Sequence, residues 1–358
     1  MADGSKAVAA TAKEPEWSSD PTVRRMQIFA FGFGPQERCS TLDRLFIRLP
    51  WFRETKERFE RALRMPRNAR LESCVRGQGP SRSGKTSAAR ALLRENLPWR
   101  DEAGLHVPWG YFRVPAVPSA ATVGQEMLRC LGDPSWHQRR NPSERLARIG
   151  EVSELVGLKA LLVDDLHHLV DSRGTRVQHA VADLFIDMGN ETGAPFLFFG
   201  LERARAVFDV NEQLRGRSGA PIEFLRLDWR EKRPRDLFLD SLDKALKQLK
   251  DGVPFDSSME DATIPFRLYC GSGGLLGYLI VILRVAEDEC RNRKVALGFE
   301  VLRRSVASVV GGARAWPGGR DPFHPDFVAK PTDETLGVAR AVGIEKGPAS
   351  GAGRKPRK

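Results

Sequence analysis

The apolar positions of this chain fall into short strand-like stretches, two of them unbroken apolar runs, that alternate with stretches of helical spacing. RLESCVRG (70–77), WGYFRVP (109–115), KALLVDD (159–165), APFLFFG (194–200) and APIEFLRLD (220–228) read as five strands. Apolar runs with little in–out alternation are what strands buried on both faces require. Between them, TSAARALLREN (86–96), SAATVGQEMLRCLG (119–132), PSERLARIGEVSELVG (142–157), RVQHAVADLFIDMGNETG (176–193) and ERARAVFDVNEQLRGR (202–217) read as helices. Ser119 is placed to cap the second of these, and Gly132 to end it. Strands alternating with helices predict an α/β fold, a five-stranded parallel sheet flanked by helices.

The flanks follow other patterns. Residues 1–24 are small, polar and charged, the composition of a disordered segment. A helical extension is expected over 25–69, where Leu45, Leu49, Phe52, Phe59 and Leu63 recur at roughly helical spacing and Pro50 starts or kinks the main helix. The sheet-bearing core is expected at 70–229. After Trp229 the pattern is helical only, with segments at 233–249, 263–271, 275–293 and 297–310 that read as a small helical lid over 230–310. From 311 to 358 the chain is rich in Gly, Pro and Arg, ends in GRKPRK, and reads as a basic unstructured tail.

Charge narrows the class of partner. Over the 358 residues Lys and Arg exceed Asp and Glu by 11, and the pI is about 9.7. Such a surplus favours polyanions, nucleic acid first, although a solvated basic surface alone is the plain alternative. Cys39, Cys74, Cys130, Cys270 and Cys290 are scattered with no C-x-x-C, so free thiols in a reducing cytosol are expected, with neither a disulfide framework nor a zinc site. The first residues lack a signal-peptide core, and the longest apolar stretch, GGLLGYLIVIL (273–283), is too short to span a bilayer.

Two stretches carry chemistry. GPSRSGKT (79–86) fits G-x-x-x-x-G-K-[ST], lies after a predicted strand and opens a predicted helix. Its backbone N–H groups, with the helix N-terminus, suit a phosphate chain. Gly79, Ser83, Gly84, Lys85, Thr86 and Ser87 are therefore the candidate ATP contacts, with Lys85 reaching the β- and γ-phosphates and the Thr86 hydroxyl ligating Mg²⁺. LLVDDLHHL (161–169) places Asp164 at a strand end, as a second nucleotide-site group and Mg²⁺ partner; an acid that merely caps a turn is the alternative.

Asp165 occupies the place where many ATPases carry a glutamate that prepares the attacking water. Its arm is one methylene shorter, and a misplacement of about 1 Å can cost about a hundredfold in rate. Leu201 follows the fourth strand where a polar side chain often touches the γ-phosphate, and leucine cannot hydrogen-bond. Slow hydrolysis is expected, unless another acid such as Asp171 or Glu202 folds beside Asp165. His167 and His168 are adjacent and lack further ligands nearby, so a structural or relay role is expected rather than zinc.

In NEQLRGR (211–217), Arg215 or Arg217 suits either an arginine finger at a subunit boundary or a solvated helix end. Phosphate contact without base reading is expected from the Arg-rich helix 53–64, from HQRRNPSERLAR (137–148), from the loop with Arg173 and Arg176, and from the tail.

Taken in order, these elements resemble the TniB/TnsC family of AAA+ transposition ATPases, with MuB a more distant functional relative. The likeness runs over roughly 40–310. It rests on FIRLPWF, GPSRSGKT, VPAVPSAATVGQEMLRCLG, LLVDDLHHL, FFGLERARAVF, NEQLRGR before LRLDW, and GGLLGYL. The Walker-type motifs are common to all P-loop ATPases. The His-His pair, Q-L-x-x-R and the lid-helix start are more distinctive.

The resemblance implies an ATP-binding protein that forms rings or filaments on double-stranded DNA. It further implies hand-over of that DNA to a DDE-type transposase, often with a TniQ-like target selector. It assigns Arg217 to the arginine-finger position. It also marks two departures, Asp164-Asp165 for the usual Asp-Glu and Gly200-Leu201 for the usual Gly-Thr. Two other readings stay open: a nucleotide-gated scaffold without appreciable turnover, and a STAND-like signalling switch acting on proteins.

Overall fold

The computed structural model describes residues 8–11 (backbone), 15–35, 37, 40–65, 73–171, 174–310 and 321–343. Its chain separates into two compact units, Met1–Leu225 with Asp243–Gly252, and Arg226–Leu242 with Val253–Lys358.

In the first unit, β1 (Val8–Thr11) pairs antiparallel with β2 (Leu45–Arg48). Between them lies α1 (Pro21–Phe31), whose first N–H groups are capped by the Asp20 carboxylate at 2.9 Å and which ends at Gly32 with φ 82°. The helix therefore begins inside the segment expected to be disordered. The chain from Leu45 to Arg48 is also not helical as expected. Its four residues form a strand because a distant strand offers a ladder, and the helix α2 (Pro50–Arg64) starts at Pro50, a position that needs no N–H.

The central sheet is formed by β3 (Cys74–Gln78), β6 (Trp109–Arg113), β7 (Ala160–Asp164), β8 (Phe196–Gly200) and β9 (Ile222–Glu223). Its order is β6-β7-β8-β3-β9 and every pairing is parallel. Every residue of β7 and β8 is buried, which is why these strands read as unbroken apolar runs. A small hairpin, β4 (Trp99–Asp101) with β5 (Gly104–His106), precedes β6 and had no place in the expected order. Residues 70–72 of the first expected strand lie outside the described residues, and the fifth is only two residues long.

The connecting helices are α3 (Lys85–Arg94), α4 (Ala120–Cys130), α5 (Pro142–Leu155), the short α6 (His168–Asp171) and α7 (Thr175–Thr192). Ser119 caps α4 as expected. The helix expected at 202–217 is broken into a 3₁₀ turn, α8 (Arg205–Asp209) and α9 (Glu212–Gly216). Asn211 causes the restart, because its side-chain oxygen accepts the Leu214 N–H at 3.0 Å as an N-cap. The core joins Met127, Leu128, Ile149, Val163, Phe185, Phe196 and Phe198 from sheet and helices.

The second unit is helical. It contains the start of α10 (Lys232–Lys250), then α11 (Ile264–Ser272), α12 (Leu276–Arg293), α13 (Phe299–Val310) and α14 (Asp333–Arg340). The half-buried ring of Trp229 meets the buried rings of Phe238, Phe266 and Tyr269 edge-on and tilted. Part of the segment expected to be an unstructured tail is folded here. Phe323, Phe327, Leu336 and Val342 are buried, while 311–320 and 344–358 lie outside the described residues. Arg267, 6% exposed, donates to the carbonyls of Pro322 (2.6 Å), His324 (3.1 Å) and Phe327 (3.4 Å) and so ties that segment down. No single helix among the described residues is long and apolar enough to cross a membrane; α11 and α12 pass only as a pair, bent by 112°.

Candidate nucleotide site and its relatives

The loop from Gly79 to Gly84 leaves the C-terminal end of β3 and enters α3. Gly79 has φ 155°, and a Cβ there would stand 2.2 Å from the Phe224 carbonyl oxygen, so the chain after β9 leaves room for glycine alone. Gly84, with φ 100°, is the residue before the first turn of α3.

Lys85 is 8% exposed and folded back on its own loop. Its ammonium donates to the carbonyls of Gly79 (2.8 Å) and Pro80 (2.7 Å) and lies 3.4 Å from the buried Ser83 hydroxyl. Burial pulls its pKa down to about 8, against the pull of Asp164, Asp165 and Glu202. Ser87 is exposed on the first turn of α3.

Thr86 and Asp164, both expected on the magnesium side, lie in contact. The Thr86 hydroxyl donates to Asp164 Oδ2 at 2.8 Å. Asp164 is 1% exposed; burial raises its pKa, the neighbouring Asp165 adds to this, and the Thr86 hydrogen bond opposes it. Two groups that sequence reasoning left out complete the surroundings. The Tyr111 hydroxyl stands 3.3 Å from the same oxygen, and Arg113 Nε donates to the Tyr111 oxygen at 2.9 Å. The signal was the register, since β6 lies alongside β7 with Arg113 opposite Asp164.

Asp165 turns the chain. Its φ of 57° is left-handed, a conformation aspartate tolerates better than most residues, and its N–H donates to Asp164 Oδ1 at 2.9 Å. Its carboxylate lies 3.9 Å from Arg113 Nε. Of the two acids considered as helpers, Asp171 is held by Arg203 through two hydrogen bonds of 2.6 and 2.7 Å. Glu202 is exposed on the turn after β8, close enough to influence Lys85. His168 Nδ1 lies 2.8 Å from the Val114 carbonyl oxygen, and burial lowers the His167 pKa to about 4. No cluster of metal-binding side chains of three or more members occurs among the described residues.

Arg217 is not brought to this loop. Its carbonyl accepts the N–H groups of Ser73 and Cys74 at 3.0 Å, at the opposite end of β3, and its guanidinium donates to Asn190 Oδ1 at 2.8 Å. It lines a cavity of about 250 Å³ with Phe185, Phe196 and Leu214. Arg215 is exposed and pairs loosely with Glu212.

Several expected basic contacts are internal ties. Arg145 is buried and donates to the Arg140 carbonyl, Arg140 holds Ser135, and Arg148 pairs with Asp133 and Glu151. Arg139, Arg176 and, on α2, Arg53, Arg61 and Arg64 remain exposed, whereas Lys56 pairs with Glu60 and Glu95. Arg173 and the terminal basic residues lie outside the described residues. Cys74, Cys130, Cys270 and Cys290 are all buried; Cys39 is likewise undescribed.

The model of the bacterial TniB protein family matches residues 42–220. The chain belongs to the TniB family. The match includes the P-loop, the Asp164-Asp165 strand end and Arg217, and stops before the second unit. No curated protein matches this TniB-family chain in sequence.

Among solved structures, the Cdc6p protein of Pyrobaculum aerophilum is similar at 18% identity, over 73% of this chain and 67% of that one, with a TM-score of 0.53. The ORC2 protein of Aeropyrum pernix follows at 15% identity, 74% and 68% coverage, and a TM-score of 0.49. A RuvB variant of Thermotoga maritima has 17% identity, 72% and 69% coverage, and a TM-score of 0.39. The fold of the TniB chain is that of the P-loop AAA+ ATPases.

Proposed function

We propose that this TniB-family protein binds ATP with Mg²⁺, assembles with copies of itself on double-stranded target DNA, and recruits or activates a DDE-type transposase. A TniQ-like selector fits as a further partner. The reading rests on the family match together with the Thr86–Asp164 contact at the mouth of the P-loop. A hydroxyl and a buried carboxylate 2.8 Å apart are the hard oxygen donors a Mg²⁺–phosphate site uses.

In this reading the backbone of Gly79, Ser83, Gly84 and Ser87 surrounds the phosphates. Lys85 exchanges its loop carbonyls for phosphate oxygens, and Thr86 and Asp164 hold the magnesium side. Magnesium, when bound, offsets phosphate charge and fixes its geometry. Asp165 orients water from a short arm, and Leu201 adds no hydrogen bond, so turnover is slow. Arg217 acts on the nucleotide of a neighbouring copy, which suits its distance from its own loop.

The test is DNA affinity with ATP, with ADP and without nucleotide, across a salt series, together with steady-state hydrolysis. ATP-dependent binding to duplex DNA of any sequence, falling steeply with salt, is expected, with slow turnover that DNA stimulates. No nucleotide-dependent DNA binding sinks the proposal. DNA binding with no turnover supports the scaffold reading, which the left-handed Asp165 and Leu201 favour. Nucleotide-dependent assembly without DNA affinity supports the signalling switch.

A further inference from the structure

Tyr111 has no part in the function proposed above, yet its hydroxyl reaches the most buried acid of the site. The phenol is held from three sides. The ring of Phe29, on α1, stacks on it with centroids 3.8 Å apart and planes 19° apart. Arg113, two residues on and on the same face of β6, donates from Nε to the phenol oxygen at 2.9 Å. Asp164 Oδ2 lies 3.3 Å away on the remaining side.

The donor pattern fixes the direction of the hydroxyl. Because Arg113 can only donate, the phenol oxygen is the acceptor in that pair. The phenol hydrogen is then left for Asp164. Asp164 therefore receives three donors, the Thr86 and Tyr111 hydroxyls on Oδ2 and the Asp165 N–H on Oδ1. Burial favours the neutral acid, the Thr86 hydroxyl and the Asp165 N–H favour the carboxylate, and the three donors together hold its plane.

We propose that Tyr111, clamped by Phe29 and Arg113, is a positioning residue that holds the Asp164 carboxylate ready for the Mg²⁺ of bound nucleotide. The proposal rests on the nucleotide reading above. It adds a link from α1 to the metal side of the site: Phe29 sets the ring, the ring sets the hydroxyl, and the hydroxyl sets the carboxylate. Groups that orient a metal ligand from behind commonly change metal affinity by about 10–100-fold when removed. The 3.3 Å separation puts Tyr111 at the low end.

The test uses the full chain and a fluorescent ATP analogue, whose binding is followed as Mg²⁺ is titrated and separately in EDTA. Tyr111→Phe keeps the ring and its stack on Phe29 and removes only the hydroxyl. It is expected to raise the Mg²⁺ concentration for half-maximal binding about tenfold and to leave binding in EDTA unchanged. In an Asp164→Asn background the same change is expected to have no effect, which a merely structural tyrosine would not show.

An unchanged Mg²⁺ curve in Tyr111→Phe overturns the proposal. So does an equal loss with and without Mg²⁺, or an undiminished effect beside Asp164→Asn. Absence of nucleotide binding by the unaltered chain under all conditions overturns the nucleotide reading itself, and Tyr111 with it.

Discussion

The Arg217 carbonyl accepts the Cys74 N–H at 3.0 Å, which fixes the proposed finger at the end of β3 that the P-loop does not leave from. Cys74 to Gln78 is a full strand, about 13 Å at some 3.3 Å per residue. Arg217 therefore serves a second copy or none. Arg217→Ala is expected to keep nucleotide affinity and to lower turnover by about 10³-fold or more. Mixing it with Lys85→Ala is expected to restore part of the turnover, because one variant supplies the arginine and the other the intact loop. Mixtures as inactive as their components would remove Arg217 from catalysis.

The acids beside Lys85 divide by their partners. Asp171 is occupied by Arg203, whereas Asp165 and Glu202 act on the lysine. Asp165→Asn is expected to lower steady-state hydrolysis by about a hundredfold and Asp165→Glu to raise it. Glu202→Gln is expected to lower it more than Asp171→Asn does. Initial rates of phosphate release, with and without duplex DNA, decide the order.

Gly79 cannot carry a side chain against the Phe224 carbonyl. Gly79→Ala is expected to destabilise the fold by about 2–4 kcal/mol, read from the midpoint of urea unfolding. Gly84→Ala tests torsion alone, since its Cβ would meet nothing within 4 Å. It is expected to cost less.

His167 gives a pH dependence with a definite sign. Its folded pKa is about 4 against an ordinary 6.5, through burial first and then the charge of His168. As pH falls below 6.5 the unfolded chain takes the proton before the folded one does. Its contribution is complete above pH 6.5 and is lost as pH falls towards 4. Replacing it by glutamine is expected to flatten that part of the stability–pH curve.

Much of the sheet and of the candidate site's motifs was legible because it is local. P-loop chemistry is written in eight consecutive residues, and strands buried on both faces read as apolar runs. Contacts made by pairing across the chain were not legible. Leu45–Arg48 carries apolar residues that fit a helix equally well until Val8–Thr11 supplies a ladder. Tyr111 gains its role only when β6 is laid in register on β7. The final folded segment was hidden by its Gly- and Pro-rich surroundings, although Phe323, Phe327 and Leu336 are spaced too sparsely to announce a core.

Arg267 tests that last segment. With its three carbonyl partners it is a buried cation, and burial lowers its pKa. Arg267→Ala is expected to cost about 2–4 kcal/mol. A chain ended at residue 310 is expected to lose stability similarly in the second unit, measured by hydrogen exchange in α11.

Those three carbonyls lie 55, 57 and 60 residues after the arginine they satisfy. A growing polypeptide thus exposes Arg267 long before its acceptors have been made. The sheet-bearing unit has its P-loop motif, its acids and Arg217 in sequence that ends well upstream. Synthesis therefore delivers the candidate nucleotide-site residues first and the finished helical unit last, so that a ribosome stalled past 310 would hold a chain with its glycine-rich loop made and its second core still open.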